Sequence, residues 1–333
     1  ELADPEALAV AAGARRRAYW EPAQLEERLS SSTELLTLAR EADNLELSMQ
    51  GHAWLLVDLL ESGDRDGVEA QVEAFTAGAR ELRQPLYRWH ALVWQATIAL
   101  LDGRLAEAES FASRALAAGG HAELVTSTQY YAAQLMAIRQ EQGRLPELEF
   151  AVVEFVKTYP AVPAWRAALA WLQWQGGQGG QARQELELLA AHGFDDIPQD
   201  GNWMVAITLL GDLCAALHDS ERAARLYELL LPHRDVNVVI GLGAVCQGSA
   251  ARHLGVLATC IGSRKQARDH FEQALVRNAA LRAPACVART QLEYAALLGS
   301  GARASELIEA AARTAREFDL PWLARRASEL RAD

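Results

Sequence analysis

Seven small or polar residues that interrupt helix formation recur along this chain at nearly even spacing. The sequence between them is rich in Ala and Leu, which favour helix, and the interrupting residues are Gly63, Gly103, Gly143, Gly177, His218, Gly262 and Gly299. Their separations are 40, 40, 34, 41, 44 and 37 residues. A period of this length is typical of stacked helix pairs and is not required by a single globular core. The spacing therefore predicts a repeat protein.

The clearest repeat is the segment HLGVLATCIGSRKQARDHFEQAL. Small residues such as Gly255 precede the turn at Gly262, and Ala267 and Phe271 follow it. This order is typical of a tetratricopeptide-like hairpin, in which small residues lie where two helices touch and a large apolar residue follows on the second helix. The segment WQATIALLDGRLAEAESFASRAL repeats the pattern. We therefore expect an all-α fold, a right-handed superhelical solenoid of tetratricopeptide-like helix hairpins.

Residues 1–333 are expected to form a single continuous helical-repeat domain. No linker rich in Pro, Gly and Ser divides the chain, and a solenoid grows in length without enlarging a central core. The predicted parts are N-terminal capping helices at 1–43, about seven helix pairs at 44–317 and a C-terminal capping helix at 318–333. The run Val238–Ile240 is a weak strand signal, and we interpret the following GLGAVCQGSA as a flexible connection.

The charge of the chain limits its partners. With 44 acidic and 32 basic side chains, the net charge is −12 at pH 7, so most of the surface repels nucleic acid. The sequence begins without a signal segment and contains no apolar stretch long enough to cross a bilayer. We expect a cytoplasmic, C-terminal piece of a larger protein that contacts neither nucleic acid nor membrane.

Common catalytic motifs do not occur in the sequence. It lacks a phosphate loop, a Gly-x-Ser-x-Gly elbow and a His-Glu-x-x-His zinc helix. The eight histidines are dispersed, so no catalytic residue, metal site or cofactor is predicted in this chain. The cysteines lack paired spacing and are expected to be reduced residues of the core; they are Cys214, Cys246, Cys260 and Cys286.

One enzyme alternative concerns the segment FDDIPQD. Asp195 and Asp196 could hold Mg²⁺ in an α-helical lyase. Pro198 breaks the helix that would align these carboxylates, so a role in turns and helix caps is preferred.

The repeat geometry also predicts a binding groove. Tetratricopeptide solenoids line their concave wall with fixed positions of each first helix, and the turn residues assign those positions here. The turn at Gly103, for example, assigns His90 and Thr97 to the wall. The resulting wall has an aromatic middle and a charged distal part, which suits a peptide or an amphipathic small molecule. The candidate binding residues are His90, Tyr130, Trp171, Trp174, Asp212, Arg252 and Arg289.

Within this groove, we expect Trp171 and Trp174 to anchor the guest. Arg252 and Arg289 would orient an acidic group on it. A shift of one residue in the repeat register would instead place these side chains in contacts between helices.

Several longer segments resemble one known group of proteins. They are LEERLSSSTELLTLAREADNLELSMQGHAWLLVDLLESGD, QPLYRWHALVWQATIALLDGRLAEAE, FDDIPQDGNWMVAITLLGDLCAAL and GSAARHLGVLATCIGSRKQARDHFEQAL. Together they resemble the C-terminal helical-repeat region of bacterial, actinobacterial-type multidomain signalling ATPases, including MalT-like and LuxR-type regulators and ATPase-linked nucleotide cyclases. The resemblance covers nearly the whole chain. It implies a sensing region that receives an effector or partner and acts on a neighbouring ATPase domain.

Two functions are consistent with these features. The first is a noncatalytic sensor or protein-interaction domain of a signalling or transcription regulator, with a protein, peptide or small effector in the groove. The second is a scaffold that associates with itself into a homo-oligomer and binds no small ligand.

Overall fold

The computed structural model describes residues 4–19, 24–120 and 124–332. These residues form a predominantly helical structure with one small sheet, which confirms the predicted all-α helical-repeat fold. The helices are α1 (Pro5–Ala18), α2 (Leu25–Glu41), α3 (Leu45–Ser62), α4 (Arg65–Leu82), α5 (Pro85–Leu101), α6 (Leu105–Gly119), α7 (Leu124–Glu141), α8 (Glu149–Thr158), α9 (Pro163–Gln175), α10 (Gly179–Ala190), α11 (Trp203–Ala216), α12 (Ser220–Leu230), α13 (Ala250–Cys260), α14 (Arg264–Ala280), α15 (Pro284–Leu298), α16 (Ala302–Glu317) and α17 (Pro321–Ala332).

Two strands and two short helices complete the described elements. The strands β1 (Asn237–Ile240) and β2 (Val245–Ser249) pair with each other. Short 3₁₀ helices occur at Leu145–Leu148 and Leu231–His233. Within the described ranges, no helix combines the length and the apolar character needed to span a membrane.

The helices from α3 to α16 follow one another as pairs, and each pair turns at one of the residues identified from the spacing. All seven turn residues have a positive φ, from 56° at His218 to 90° at Gly63. This left-handed conformation ends a helix with little strain when the residue is glycine. At two turns the next residue caps the following helix: the side chains of Asp64 and Asp219 accept hydrogen bonds from the amides of Gly67 and Arg222, at 3.0 and 3.1 Å.

The contacts divide the chain into two compact units. The N-terminal unit contains Glu1–Leu100, Leu105–Leu135 and Val239–Cys246, and the C-terminal unit contains Leu101–Arg104, Met136–Val238 and Gln247–Asp333. In the N-terminal unit, α1 packs on α2, α2 on α3, and α3 on α4. In the C-terminal unit, α9, α11, α13 and α15 contact one another in order, and each packs on the second helix of its own pair. Such packing between neighbours is typical of helical repeats.

Small residues allow close approach of helices in the C-terminal unit, as the repeat pattern predicts. A Cβ atom on Gly255 would lie 2.6 Å from a ring carbon of Phe271. On Gly211, it would lie 3.2 Å from Leu257. Gly255 is therefore required by the contact between helices rather than by backbone conformation, and Gly211 lies at a close contact of the same kind.

A fully buried ion pair joins α1 to α3 in the N-terminal unit. Arg16 donates from Nε and Nη2 to the Asp58 carboxylate, at 2.9 and 2.6 Å, and both side chains are 0% exposed. Ser32 donates to the same carboxylate at 2.7 Å, and Arg28 contacts both Asp58 and Glu61. Because one buried carboxylate accepts several donors, its charge is compensated without water.

The segment after β1 differs from its prediction. GLGAVCQGSA was expected to be a flexible connection, but it forms a turn and the strand β2, with Ala244 0% and Val245 1% exposed. The Ala244 amide closes the turn by donating to the Ile240 carbonyl at 2.9 Å. Gly241 and Gly243 have φ values of 55° and 78°, which permit this reversal. The weak strand signal at Val238–Ile240 therefore marks one half of a hairpin.

Candidate functional site

Side chains of α5 and α7 bind the tip of the β1–β2 hairpin within the N-terminal unit. Trp94 donates from Nε1 to the carbonyl of Leu242 at 2.7 Å. The Leu242 amide in turn donates to the hydroxyl oxygen of Tyr130 at 2.9 Å. Both polar groups of one tip residue are thus paired with side chains from two different helices.

The next two residues of the tip are held in the same way. Thr97 Oγ1 lies 2.8 Å from the Gly243 carbonyl oxygen and 2.7 Å from that of Ala244. Gln134 Nε2 donates to the Ala244 carbonyl at 2.9 Å. We call Trp94, Thr97, Tyr130 and Gln134 the hairpin-binding surface. It pairs with main-chain atoms, as a peptide receptor does, so binding depends little on the side chains of the bound segment.

Glycine is nevertheless required at two positions of the bound segment. A Cβ atom on Gly241 would lie 2.8 Å from the hydroxyl oxygen of Tyr130. On Gly243, it would lie 3.1 Å from Trp94 Nε1 and 3.2 Å from Leu60. The surface therefore selects a turn that contains small residues.

Aromatic rings surround the hairpin-binding surface. Trp89 lies between two of the predicted site residues, with ring centroids 4.4 Å from His90 and 5.4 Å from Tyr130. His90 also lies 5.4 Å from Trp94. Burial raises the pKa of Tyr130, and the hydrogen bond from the Leu242 amide partly opposes that effect, so the phenol is neutral near pH 7. His90 and Tyr130 thus share one aromatic cluster.

The other predicted aromatic residues belong to the C-terminal unit. Trp171 is half-buried and donates from Nε1 to Gln140 Oε1 at 3.1 Å. Trp174, also half-buried, lies beside Gly179, where a Cβ atom would be 3.4 Å from the indole ring. Their role as anchors of a guest stays a prediction.

Asp212 and Arg252 come together in a charged cluster of α11, α13 and α15. Arg252 donates to Asp212 Oδ2 at 2.9 Å and to Glu293 Oε1 at 2.7 Å. Asp212 Oδ1 also lies 3.0 Å from Nδ1 of His253. Arg252 and His253 are 4% and 1% exposed, so this cluster pairs its charges away from water. An acidic group on a guest would have to compete with two carboxylates for Arg252.

Burial and the Arg252 charge act on each titratable group of this cluster. Burial favours the neutral acid, but Arg252 and His253 outweigh it and lower the pKa of Asp212. Burial, assisted by the charge of Asp212, raises the pKa of Glu293 to about 7 against the attraction of Arg252. Burial and the Arg252 charge lower the pKa of His253 to about 4. At neutral pH, His253 is therefore neutral and Asp212 is ionised.

Arg289 takes part in a separate contact of the C-terminal unit. Its guanidinium pairs with Glu141 and lies over the ring of Trp322, 4.7 Å from the centroid. Glu141 follows Gln140, the partner of Trp171, so Arg289 and Trp171 contact consecutive residues of α7. As with Arg252, the acidic partner of Arg289 belongs to the chain itself.

The carboxylates of FDDIPQD are engaged locally. Asp195 pairs with Arg225 at 3.0 Å, and Asp196 Oδ2 lies 2.6 Å from His192 Nδ1. Asp200 accepts from the Asn202 amide at 2.8 Å, before α11. Across the described ranges, His, Cys, Asp and Glu side chains form no group of three that could hold a metal ion.

Sequence reasoning identified only part of the hairpin-binding surface. The groove positions derived from Gly103 and Gly143 include Thr97 and Tyr130, both of which contact the hairpin. The same groove positions do not include Trp94 or Gln134. The two glycines at alternate positions of GLGAVCQGSA were the available signal for a tight turn.

No protein-family model and no curated protein sequence matches this chain. The resemblance to signalling ATPases therefore stays a prediction.

Proposed function

We propose that this chain is a noncatalytic sensor and protein-interaction region that recognises a peptide segment of a partner through the hairpin-binding surface. One observation carries the proposal: side chains of α5 and α7 pair with three carbonyls and one amide of the chain's own hairpin tip. The chemistry of the surface therefore suits main-chain groups of a turn.

The hairpin acts as an internal competitor for the same side chains. A buried polar group that loses its partner costs about 1–3 kcal/mol, so the surface favours an occupied state. A partner segment binds only when it replaces the hairpin, and the released hairpin then distinguishes the bound state from the free state. The two states differ in affinity for the partner, which is the requirement for any signal.

The resemblance to bacterial signalling ATPases implies what the rest of the protein would be. The chain would be the sensing region of a larger cytoplasmic signalling or transcription regulator, next to an ATPase domain. A small effector is an alternative occupant of the groove. No cofactor, nucleic acid or membrane partner is proposed for this region, in keeping with its acidic charge.

A labelled peptide tests the proposal. The peptide VVIGLGAVS copies residues 238–246 with serine in place of Cys246, and its binding is followed by fluorescence anisotropy. In the wild-type protein the tethered hairpin competes at an effective concentration of about millimolar, so binding should be weak. In Gly243→Ala the hairpin fits poorly while the peptide keeps its glycine. We expect binding at least about tenfold tighter, equal to about 1.4 kcal/mol.

Two controls define specificity. A peptide with alanine in place of the glycine that matches Gly243 should bind neither protein. Adding Thr97→Val to Gly243→Ala should remove the gain in affinity. If hydrogen exchange shows that the hairpin has opened in Gly243→Ala and the peptide still gives no saturable binding, the proposed peptide recognition is wrong.

Self-association without a ligand is the second candidate function. Three large apolar side chains of the C-terminal unit are strongly exposed, Phe150 at 80%, Val276 at 72% and Leu188 at 62%, and association with another surface would remove them from water. Light scattering across a concentration series separates the two candidates. A concentration-dependent mass that falls in Phe150→Asp, with no response to the peptide, would favour the scaffold.

A further inference from the structure

A cavity of the N-terminal unit lies among α1, α3, α4 and α5. Its volume is about 410 Å³, and it is open to solvent. Met49 and Phe75 are 1% and 2% exposed and line its deep part, whereas Glu6 and Glu46 are exposed at its mouth. The cavity thus combines an apolar floor with an acidic rim.

Both rim carboxylates are fixed by amide groups. Asn44 Nδ2 donates to Glu6 Oε1 at 3.1 Å, and Gln84 Nε2 donates to Glu46 Oε1 at 3.1 Å. Within the part of the chain that the structure describes, neither carboxylate is ion-paired. An amide donor orients a carboxylate and leaves its charge uncompensated. Among the residues that the structure describes, the two negative charges of the rim therefore have no positive partner.

Aromatic rings line the inner wall of the same cavity. Tyr87 and His90 each face Phe75 edge-on, with centroids 6.0 and 6.3 Å apart and interplanar angles of 67° and 61°. Rings set at these angles form a corner that can contact a guest on two sides. Burial and the negative charge of Glu46 raise the pKa of Tyr87, so the phenol remains neutral and its ring adds no charge of its own.

We infer that this cavity binds an organic cation, specifically an alkylammonium group. Aromatic faces attract such a group through their quadrupoles, its carbon atoms bury apolar surface against Met49 and Phe75, and Glu6 and Glu46 supply the counter-charge. An anion would be repelled by the rim, and a neutral apolar guest would gain nothing from it. The surrounding sequence points the same way, since residues 1–100 contain 17 Asp and Glu against 9 Arg.

The lining residues of this site do not include the hairpin-binding surface, although Phe75 and His90 both contact Trp94. An alkylammonium group has two natural sources, a free amine and a lysine side chain of a peptide. A free amine should bind the wild-type protein without any change in the hairpin. A lysine peptide gains further contacts outside the cavity and should bind tighter than the amine if a peptide is the natural source.

The test uses choline and its neutral isostere 3,3-dimethylbutan-1-ol with the full chain, followed by ligand-detected NMR. Choline methyl protons should shift upfield because they lie against aromatic rings. Choline should bind about 2- to 5-fold tighter than the neutral isostere, which corresponds to a cation–π contribution of about 0.5–1 kcal/mol. Raising the salt concentration should reduce this preference. A third arm compares n-butylammonium with the blocked peptide Gly-Lys-Gly and so distinguishes the two sources.

Variants decide whether the cavity is responsible. Glu46→Gln is nearly isosteric and should weaken choline binding about 2- to 5-fold, while Tyr87→Leu should also reduce the upfield shift. Glu26→Gln, an exposed carboxylate of α2 outside the cavity, is the matched control and should have no effect. Circular dichroism checks that each variant remains helical. Equal affinity for choline and its neutral isostere, or unchanged choline binding in Glu46→Gln, would overturn the inference.

Discussion

Replacing Gly243 by alanine tests the hairpin-binding surface most directly. Gly243 has a φ of 78°, and a Cβ atom there would lie 3.1, 3.2 and 3.3 Å from Trp94 Nε1, Leu60 and Leu56. The left-handed conformation costs a residue with a side chain about 1–2 kcal/mol. Overpacking a tight site costs about 1–3 kcal/mol. We therefore expect Gly243→Ala to weaken the docked hairpin by about 2–5 kcal/mol.

Hydrogen exchange measured by mass spectrometry reports this local change. If the amides of residues 237–249 exchange through opening of the hairpin, a loss of about 2–5 kcal/mol raises their exchange rates about 30- to 5000-fold. The measurement is local, so it does not require that both units unfold together.

Gly262→Ala provides the matched control. Gly262 has nearly the same φ, 79°, but a Cβ atom there would meet no heavy atom within 4 Å. This variant should cost only the conformational term of about 1–2 kcal/mol and leave exchange in the hairpin unchanged. Hairpin exchange in Gly243→Ala within threefold of the wild-type rate would show that close packing at Gly243 does not hold the hairpin.

Further predictions concern single side chains of each unit. Thr97→Val should lower the protection of the hairpin amides against exchange by about 1–3 kcal/mol, because a buried carbonyl of the tip loses its hydroxyl donor, whereas Thr97→Ser should retain that donor. Asp58→Asn should lower the free energy of unfolding by about 3–5 kcal/mol, because it leaves Arg16 buried without its counter-charge; urea denaturation measures the loss. In the wild-type protein, Glu293, with its raised pKa of about 7, contributes stability that is lost as pH rises from about 4.5 to 7. His253, with its lowered pKa of about 4, contributes stability that is lost as pH falls from about 6.5 to 4. The two trends oppose each other. In Glu293→Gln the His253 trend remains, so the melting temperature of this variant should rise as pH rises from about 4 to 6.5. A melting temperature that does not change with pH in this variant would contradict the assignment.

The helical turns could be predicted from sequence because their cause is local. Each turn residue ends a helix by adopting a positive φ, and glycine does so without strain. His218 occupies the equivalent turn with a φ of 56°, and only the spacing between neighbouring turns identified it. At His218, therefore, the spacing of the turns predicts the turn, although the residue type does not.

The binding surface could be predicted only in part because its contacts are not local. Thr97 and Tyr130 followed from repeat geometry, but their partners lie more than 100 residues later in sequence. The pairing of Arg252 with Asp212 likewise connects different repeats. Helix position predicts that such side chains face a common wall, but it does not predict which opposite charges meet.

The strength of the docked hairpin sets the threshold for the proposed sensor. Each of the side-chain contacts at the tip contributes about 0.5–1.5 kcal/mol net, and opening the hairpin without a replacement also takes the acceptor away from the buried Trp94 indole, at about 1–3 kcal/mol. Spontaneous opening is therefore more costly than exchange of one occupant for another. A partner that supplies equivalent carbonyls avoids that cost, and one that lacks glycine at the position of Gly243 meets Trp94 and Leu60. On this reasoning the hairpin provides both the threshold and the specificity of the proposed recognition, and any substitution that weakens its docking should raise the affinity for a glycine-containing peptide and leave an unrelated peptide unbound.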